Sequence, residues 1–207
     1  EALAQYRKIV EAIAKVTSGP ISIQVIGDEN TTAEDMLGQA RVYKDWIPNG
    51  VVKFPATLNG LAAAEIFCEV YPVNITLNFS QAQAAAVYGA TQNAKHRVFI
   101  SPFVGRLDDR GENGMQVVYN ELKMYEAGDH HVEVLTASLR SLDHLLYAMA
   151  LKSPAITIPY KIFTLWADAG FPTPDKSYQY ISKDLKTIPY QELVIGDDWR
   201  SFNLEHE

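Results

Sequence analysis

The sequence predicts an α/β protein built on a parallel β-sheet. Short runs rich in β-branched and aromatic residues alternate along the chain with longer segments of helical spacing, and this alternation is typical of helices packed outside a parallel sheet. Residues suited to turns and caps stand at the breaks; Ser80, for example, can cap the helix that follows it. The chain has 207 residues, 47% of them hydrophobic, so we predict a single domain over residues 1–207.

The predicted strands lie, in chain order, at residues 21–25, 50–55, 73–79, 97–101, 132–138 and 155–159. The predicted helices lie at residues 2–16, 31–46, 59–69, 80–92, 112–127, 140–151 and 160–169. From about residue 170 to residue 200 the alternation ends. Aromatic side chains in this stretch have apolar area to bury, so we expect an ordered excursion over the surface. They are Tyr178, Tyr180, Tyr190 and Trp199.

Charge and cysteine content restrict the function classes. The formal net charge of −7 argues against a surface for nucleic acids or anionic membranes, but it permits a small phosphorylated ligand. No apolar run is long enough to span a bilayer, and no leader pattern stands at the N-terminus, so we expect a cytoplasmic protein. The single cysteine, Cys68, cannot form an internal disulfide and is predicted to be a small buried hydrophobe. The histidines show no metal-ligand spacing, and Asp108 and Asp109 are expected in a solvated turn.

Polar residues recur on one side of the predicted strands. Alternate residues of a strand face the same side, which groups Asn74 with Thr76 and Asn78, and Ser22 with Gln24. In a sheet covered on both faces these side chains have no water-facing side. Several polar residues end their strands, where a (β/α)₈ barrel carries its active site. We therefore predict a TIM-type (β/α)₈ barrel, incomplete at six strands, with a polar pocket at its mouth. The strand-end residues are Lys53, Thr76, Ser101 and Ser138.

Lys53 is the most informative of these residues, because it interrupts the apolar run VVKFP at residues 51–55. Lysine is seldom buried unless it is paired, and desolvation lowers its pKa. A partly neutral amine can attack a carbonyl group and form a Schiff base. We interpret Lys53 as such a nucleophile; the alternative is a lysine whose ammonium group reaches solvent at the strand end. For Gln24, Asn78 or Thr136 taken alone, a locally hydrogen-bonded polar group is the favoured interpretation.

Two arginines follow predicted strand ends. Arg106 lies in the segment ISPFVGRLDD and Arg140 in TASLR, just before a helix. A guanidinium group at a barrel mouth is suited to a phosphate group. The alternative for each arginine is a surface ion pair. Acidic partners for such pairs are available at Asp108, Asp109 and Asp143.

The strand-end segments together resemble those of transaldolase in its shorter bacterial form, which is akin to fructose-6-phosphate aldolase. The resemblance rests on ISIQV, VVKFPAT, VNITLNFSQAQA, ISPFVGRLDD and VLTASLR; NITLNFSQAQ and ISPFVGR are the most specific, and the match covers nearly the whole chain. It implies a TIM barrel and a class I aldol mechanism without metal or organic cofactor. The implied reaction, of the pentose phosphate pathway, carries a dihydroxyacetone unit from sedoheptulose 7-phosphate to glyceraldehyde 3-phosphate, which yields erythrose 4-phosphate and fructose 6-phosphate.

The resemblance also implies a role for each candidate residue. Lys53 would form the Schiff base, while Asn74 and Ser101 would hold the hydroxyl groups of the dihydroxyacetone unit. Thr76 would hold the catalytic water together with Gln24. The other implied residues are Phe103, which would line the site, Arg106 and Arg140, which would bind the substrate phosphate, and Ser138, which would lie nearby.

Departures from the family pattern leave alternatives. Transaldolases usually carry Glu where this chain has Gln24, as the aldolases do, so a lyase that releases free dihydroxyacetone is the second candidate function; Phe103 favours transaldolase, since the aldolases carry Tyr there. The family's first-strand Asp, its second-strand T-[TS]-N-P motif and its final helix have no counterpart in this sequence. The chain is therefore expected to correspond to an internal part of the barrel. This makes an inert, truncated scaffold the third candidate, and self-association into a homo-oligomer is expected.

Overall fold

The computed structural model describes residues 1–182 and 184–205. Within them, six parallel strands form one sheet in which spatial order follows chain order. The sheet curls into a half-barrel surrounded by helices, which confirms the α/β fold and the incomplete TIM barrel; the assignment of residues 1–207 to one domain stays a prediction. The strands are β1 (Ile21–Gln24), β2 (Gly50–Pro55), β3 (Val73–Asn78), β4 (Val98–Pro102), β5 (Val132–Thr136) and β6 (Ala155–Ile156).

The helices confirm the predicted alternation, with one short helix added. The structure has α1 (Ala2–Ala14), α2 (Ala33–Tyr43), α3 (Leu58–Phe67), α4 (Gln81–Ala90), α5 (Val104–Asp109), α6 (Gly114–Tyr125), α7 (Leu142–Ala150) and α8 (Tyr160–Asp168), and a 3₁₀ turn at Trp199–Ser201. Helix α5 was not predicted because six residues are too few to establish a helical period. Consequently the turn expected at Asp108 and Asp109 is wrong, because both residues lie in α5. The side chain of Asp108 is only 16% exposed, so its predicted solvation is wrong as well, whereas that of Asp109 is 56% exposed.

Several helices begin at a polar cap close to the end of a strand. The side chain of each cap accepts a hydrogen bond from the backbone N–H three residues later, which satisfies a donor that the helix leaves free. This confirms the prediction for Ser80. Such caps fix where each helix starts and thereby set the short connections that carry the candidate site. The caps are Thr32, Thr57, Ser80, Asn113 and Ser141.

The two faces of the sheet have different partners. Val52, Ile75 and Ile100 are fully buried and belong to the core that the sheet shares with the helices. Lys53 and Asn74 alternate with these residues and therefore lie on the opposite, concave face. Parallel strands place their C-terminal ends on one edge, so the polar residues of this face are brought together there.

Asn78 departs from the predicted face. The β3–β4 register shifts between Ile75 and Asn78, and Leu77 has a φ of 58°, which lies in the left-handed region that non-glycine residues rarely adopt. Asn78 is fully buried, and its Nδ2 donates a hydrogen bond to Oε1 of Glu121 on α6. The prediction that Asn78 shares the side of Asn74 is therefore wrong, because the backbone reverses the alternation at Leu77.

The segment from residue 186 to residue 205 crosses the outer helices without a helix or strand longer than the 3₁₀ turn. Amide side chains hold its backbone: Gln81 Nε2 donates to the carbonyl of Gln191 at 2.7 Å, and the N–H of Gln191 donates back to Gln81 Oε1 at 2.9 Å. The N–H of Ile188 donates to Gln116 Oε1 at 2.7 Å. Trp199 is 2% exposed, which confirms the ordered excursion that its aromatic residues predicted.

Two further sequence predictions can be compared with the structure. Cys68 is fully buried at the end of α3, and burial raises the pKa of its thiol to about 11, which confirms a small buried residue. Among the described residues, no helix combines the length and the apolar character needed to cross a bilayer.

Candidate active site

The candidate residues of the first strands lie in one row across the concave face. Gln24 of β1 is in register with Lys53 of β2, and Lys53 is in register with Asn74 of β3. Residues in register on neighbouring parallel strands point to the same side. The row therefore places an amine between two amides at the C-terminal half of the sheet.

The Lys53 amine is only partly buried, and burial has a clear effect on it. Its Nζ lies 5.7 Å from the centre of the Phe103 ring, and within the described residues no carboxylate forms an ion pair with it. Desolvation lowers the pKa of Lys53. Since no carboxylate counteracts this shift, a larger share of the amine is neutral at pH 7 than for a lysine in water.

Asn74 lies at the centre of a short chain of hydrogen bonds. Its Nδ2 donates to Ser22 Oγ at 2.9 Å, and its Oδ1 accepts from Ser101 Oγ at 2.7 Å. Asn74 is 1% exposed and Ser101 is fully buried. The network fixes the side-chain amide of Asn74 next to Lys53. Ser22 was not among the predicted site residues, although its position on the side of Gln24 could have indicated it.

Thr76 occupies the same face two residues after Asn74. It is fully buried, and its Oγ1 has no hydrogen-bond partner among residues 1–182 and 184–205. A buried hydroxyl group without a partner costs free energy, and a water molecule or a substrate hydroxyl group could supply the missing bond. This atom is therefore the strongest local indication of a binding position on the concave face.

Gln24 is exposed, and its backbone is held by the hydroxyl group of Tyr6, which accepts from the Gln24 N–H at 2.8 Å. Gln24 also lines a cleft of about 340 Å³, to which Pro55 and Leu77 contribute. Lys53 does not line this cleft. The cleft therefore adjoins the row of candidate residues from the side of β1 and does not enclose the amine.

Phe103 joins the strand ends to the loops. It stands in bridge pairing with Ala137, packs edge-on against Phe79 with ring centres 6.1 Å apart, and directly precedes α5. Its ring is the aromatic neighbour of the Lys53 amine. That Phe103 lines a substrate site stays a prediction.

The two arginines lie in neighbouring connections, Arg106 on the short helix α5 after β4 and Arg140 in the loop after β5. Arg106, on α5, is exposed and forms no ion pair within the described residues, whereas NH2 of Arg140 lies 2.7 Å from Oδ2 of Asp109. The side chain of Arg140 passes so close to Gly105 that a Cβ there would overlap it. Ser138 has a φ of 62°, and its carbonyl accepts from the Gly105 N–H at 2.9 Å.

The candidate residues thus form two groups. One group, on the concave face, surrounds Lys53, and the other joins the loops after β4 and β5. Within residues 1–182 and 184–205, no hydrogen bond or ion pair links either arginine to Lys53. Nor do three or more histidine, cysteine, aspartate or glutamate side chains cluster as metal ligands would in the part of the chain that is described. The Lys53 group comprises Gln24, Asn74, Thr76, Ser101 and Phe103, and the loop group comprises Arg106, Ser138 and Arg140.

Comparison with known proteins identifies the family. The sequence pattern of the family described as Transaldolase/Fructose-6-phosphate aldolase matches residues 2–194. Over 191 residues the chain is 36% identical to "Probable transaldolase 2" of Listeria monocytogenes, covering 90% of this chain and 82% of that protein. A "Probable transaldolase" of Lactiplantibacillus plantarum is 36% identical over 88% of this chain and 80% of its own length. One of Phenylobacterium zucineum is 39% identical over 76% of this chain and 70% of its own length. The chain belongs to the transaldolase/fructose-6-phosphate aldolase family of enzymes.

Proposed function

We propose that this protein is a transaldolase that transfers a dihydroxyacetone unit between sugar phosphates through a Schiff base on Lys53. The observation that carries the proposal is the environment of the amine. Burial lowers the pKa of Lys53, with no carboxylate of the described residues paired to it, and hydrogen-bonding side chains occupy the adjacent positions of the same face. A neutral amine among groups that can hold a polyhydroxy ketone supports covalent catalysis on the ketone carbonyl.

The reaction can be written on these residues. The Lys53 amine adds to the C2 carbonyl of sedoheptulose 7-phosphate, and the carbonyl oxygen leaves as water, which gives an iminium ion. Loss of the proton from the C4 hydroxyl group breaks the C3–C4 bond, releases erythrose 4-phosphate and leaves an enamine. The enamine attacks the aldehyde carbon of glyceraldehyde 3-phosphate, whose oxygen takes up a proton. Hydrolysis of the new iminium ion releases fructose 6-phosphate and restores Lys53.

The neighbouring polar groups would act on this intermediate. We propose that Asn74 and Ser101 hold the hydroxyl groups of the dihydroxyacetone unit, which would replace part of the hydrogen bonding that they now exchange with each other. Thr76, whose Oγ1 lacks a partner among the described residues, would hold the water that carries protons. Gln24 would hold the same water from β1. Phe103 would shield the iminium ion from bulk water, because its ring lies beside the amine.

The loop group would bind the substrate phosphate. Arg106 is exposed and forms no ion pair within the described part of the chain, so its guanidinium group can donate hydrogen bonds to a phosphate oxygen directly. Arg140 is exposed as well, but a phosphate would have to share it with Asp109 or displace that carboxylate. The hydroxyl group of Ser138 would add a hydrogen bond from the same loop.

The test is intact-mass analysis after borohydride reduction in the presence of fructose 6-phosphate. We expect a covalent adduct on the wild-type chain and none on Lys53→Ala. The matched control is Lys95→Ala, which removes an exposed lysine with only a 3.8 Å ion pair to Glu69 and should leave the adduct unchanged. If the wild type forms no adduct between about pH 6 and pH 9, where a lysine of lowered pKa becomes neutral, the catalytic proposal fails and an inert scaffold becomes the better interpretation.

Gln24 supports a second candidate, a fructose-6-phosphate aldolase activity that releases free dihydroxyacetone. The two activities differ in whether water or an acceptor aldehyde ends the reaction. Incubation of fructose 6-phosphate without an acceptor, followed by assay for free dihydroxyacetone, separates them. A transaldolase stalls with the unit bound to Lys53, whereas an aldolase accumulates dihydroxyacetone over many turnovers.

We also propose that the protein forms a homo-oligomer and acts in the cytoplasm on pentose phosphate pathway sugars. Apolar side chains of α8 support association, because Tyr160 is 81% exposed and Phe163 and Leu165 are each 43% exposed. Light scattering coupled to size exclusion should give a mass of at least two chains. A monomer at micromolar concentration would exclude stable association.

A further inference from the structure

A buried histidine lies directly behind the loop that carries Ser138 and Arg140. His144, on α7, is 3% exposed, and its Nδ1 accepts a hydrogen bond from the backbone N–H of Arg140 at 3.2 Å. A backbone N–H can only donate, so Nδ1 must present its lone pair. In the neutral ring the proton is therefore on Nε2, which lies 2.9 Å from Oδ2 of Asp108 and 3.0 Å from the hydroxyl group of Tyr180.

Asp108 connects this histidine to the helix that carries Arg106. It lies two residues after Arg106 on α5, and its Oδ1 accepts from the N–H of Gly114 at the start of α6. One oxygen is thus used by α6 and the other by His144. The linkage runs from the Arg140 backbone through His144 and Asp108 to α5, while the Arg140 side chain reaches the same helix at Asp109.

The loop that is held in this way needs support. Ser138 is a non-glycine residue with a φ of 62°, a strained conformation that persists only where the surroundings impose it. On the N-terminal side of Arg140, a hydrogen bond from the Gly105 N–H to the Ser138 carbonyl, at 2.9 Å, holds the loop. The bond from the Arg140 N–H to His144 holds it on the other side. Without the second bond, rotation of the peptide between these residues would move the Arg140 side chain away from α5.

We propose that His144, oriented by Asp108, is a positioning residue for the phosphate subsite: it holds the Ser138–Arg140 loop so that Arg140 and Arg106 face the same phosphate. His144 would not touch the substrate. The inference rests on the proposed function for the identity of the phosphorylated ligand. Binding of phosphate, however, can be measured without any reaction at Lys53.

The experiment measures two ligands on each variant. Calorimetry gives the affinity for inorganic phosphate, and borohydride trapping with dihydroxyacetone, which has no phosphate group, reports on Lys53. Loss of one neutral hydrogen bond corresponds to about fivefold in affinity, so we expect His144→Ala to bind phosphate about fivefold more weakly. Trapping of dihydroxyacetone should stay unchanged. His144→Asn should recover most of the affinity, because its Oδ1 can accept the Arg140 N–H from the place of Nδ1.

Asp108→Asn is the sharper variant because it keeps the shape of the side chain. The amide has one acceptor oxygen, and Asp108 accepts from both Gly114 and His144, so one of the two bonds must be lost. If the His144 ring responds by moving its proton to Nδ1, that N–H faces the N–H of Arg140 and their hydrogen bond is lost. We then expect a loss of phosphate affinity similar to that of His144→Ala. Tyr180→Phe is the matched control: it removes the hydroxyl group near Nε2 but leaves the Arg140 bond, so phosphate affinity should not change.

Three results would overturn the inference. His144→Ala and Asp108→Asn could bind phosphate as tightly as the wild type, the wild type could fail to bind phosphate, or trapping of dihydroxyacetone could fall by the same factor as phosphate affinity, which would indicate general damage to the fold. A wild type that binds phosphate, responds to His144→Ala and yet traps no dihydroxyacetone would contradict the proposed function alone and leave the positioning role intact.

Discussion

Two regions of this molecule hold polar side chains that are at least half-buried, and the two sets are bonded differently. On the concave face, Asn74 and Ser101 bond to side chains of neighbouring strands, and Thr76 Oγ1 has no partner in the part of the chain that the structure describes. On the outer helices, Gln81 and Gln116 bond to the backbone of the segment from residue 186 to residue 205. The outer amides satisfy the chain itself, whereas the concave face retains hydrogen-bonding capacity that the chain does not use.

This contrast in hydrogen-bond partners distinguishes a structural polar group from a functional one. Burying a hydroxyl group without a partner lowers stability, and proteins violate local rules of this kind mainly at functional sites. A satisfied amide needs no ligand to explain it. A missing partner is not sufficient by itself, because Nε1 of the buried Trp199 in the outer segment also lacks one among the described residues. We therefore take a missing partner together with a place on the concave face as the criterion for a residue that binds substrate, and the substitutions below test it.

The largest expected effect is on Thr76. Thr76→Val removes the unpartnered hydroxyl group but keeps the side-chain shape, so we expect activity to fall by about 10²-fold or more while the free energy of unfolding rises by about 1 kcal/mol. Steady-state kinetics and urea unfolding measure the two effects. Thr136 is an equally buried threonine whose hydroxyl group is bonded to Ser153 at 2.7 Å, so Thr136→Val should show the reverse, with activity retained and stability lowered. The same response in both variants would refute the criterion.

Glu121, on α6, is an intermediate case. Its Oε2 and Asn78 Oδ1 both lack partners among the described residues, yet they lie away from the row of Lys53. Burial raises the pKa of Glu121 well above its usual range. The folded state therefore holds a proton that the unfolded state loses above about pH 4.3, so stability should fall as pH rises, by about 1.4 kcal/mol for each pH unit up to the native pKa.

Glu121→Gln should remove that slope, because the amide does not titrate in this range and can donate to Asn78 Oδ1. The free energy of unfolding of the variant minus that of the wild type should increase by at least about 1 kcal/mol from pH 5 to pH 8. Urea unfolding at each pH measures this difference, and we expect activity to be unchanged. A wild type whose stability is flat or rises over this interval would show that Glu121 is ionised in the folded protein.

The outer set predicts a smaller, local effect. Gln81→Met keeps the length of the side chain but breaks both bonds to Gln191, and because Gln191 is exposed, water can replace part of what is lost. We expect a cost of about 1–2 kcal/mol and faster hydrogen exchange near residue 191, with activity retained. Gln92→Met is the control: Gln92 makes one exposed bond to Gly196 and should cost about 0.5 kcal/mol or less. Equal losses of stability in the two variants would show that the two bonds of Gln81 stabilise the fold no more than the single bond of Gln92.

The smallest expected effect on stability is that of Asp129, because its carboxylate is hydrogen-bonded but exposed to solvent. The hydrogen bond from the His131 ring lowers the pKa of Asp129 to about 2. This lowered pKa stabilises the fold above the unfolded-state value near pH 3.9, and the contribution is lost as pH falls towards 2. Its side chain is 66% exposed, so screening reduces the contribution to about 0.5–1 kcal/mol. Asp129→Asn should lose that amount at pH 7 and nothing at pH 2; a constant difference at both pH values would assign it to packing.

The sequence could predict the concave face because a strand repeats every two residues and the chemistry repeats with it. Lys53, Asn74 and Thr76 could be assigned from this period alone. Asn78 could not, because the backbone reverses at Leu77, and a leucine gives no sign that it will adopt a positive φ. His144 was missed for another reason: a lone histidine on a helix has no characteristic spacing, and its partner Asp108 is distant in sequence.

The outer segment was predictable only as an ordered excursion. Its aromatic residues indicated burial, and Trp199 is indeed buried. The amides that hold it are dispersed over helices α4 and α6, and they bind backbone groups, which carry no residue type. No pattern in residues 186–205 can therefore indicate which helices they cross.

Cys68 gives the molecule a built-in probe of local opening. Only the thiolate reacts readily with alkylating reagents, and this thiol is fully buried with a pKa of about 11. Labelling at neutral pH therefore has to wait until the end of α3 separates from the core. Because the chain has one cysteine, the rate of modification reports on a single place, and its dependence on urea would tell whether that place opens alone or only when the whole half-barrel unfolds.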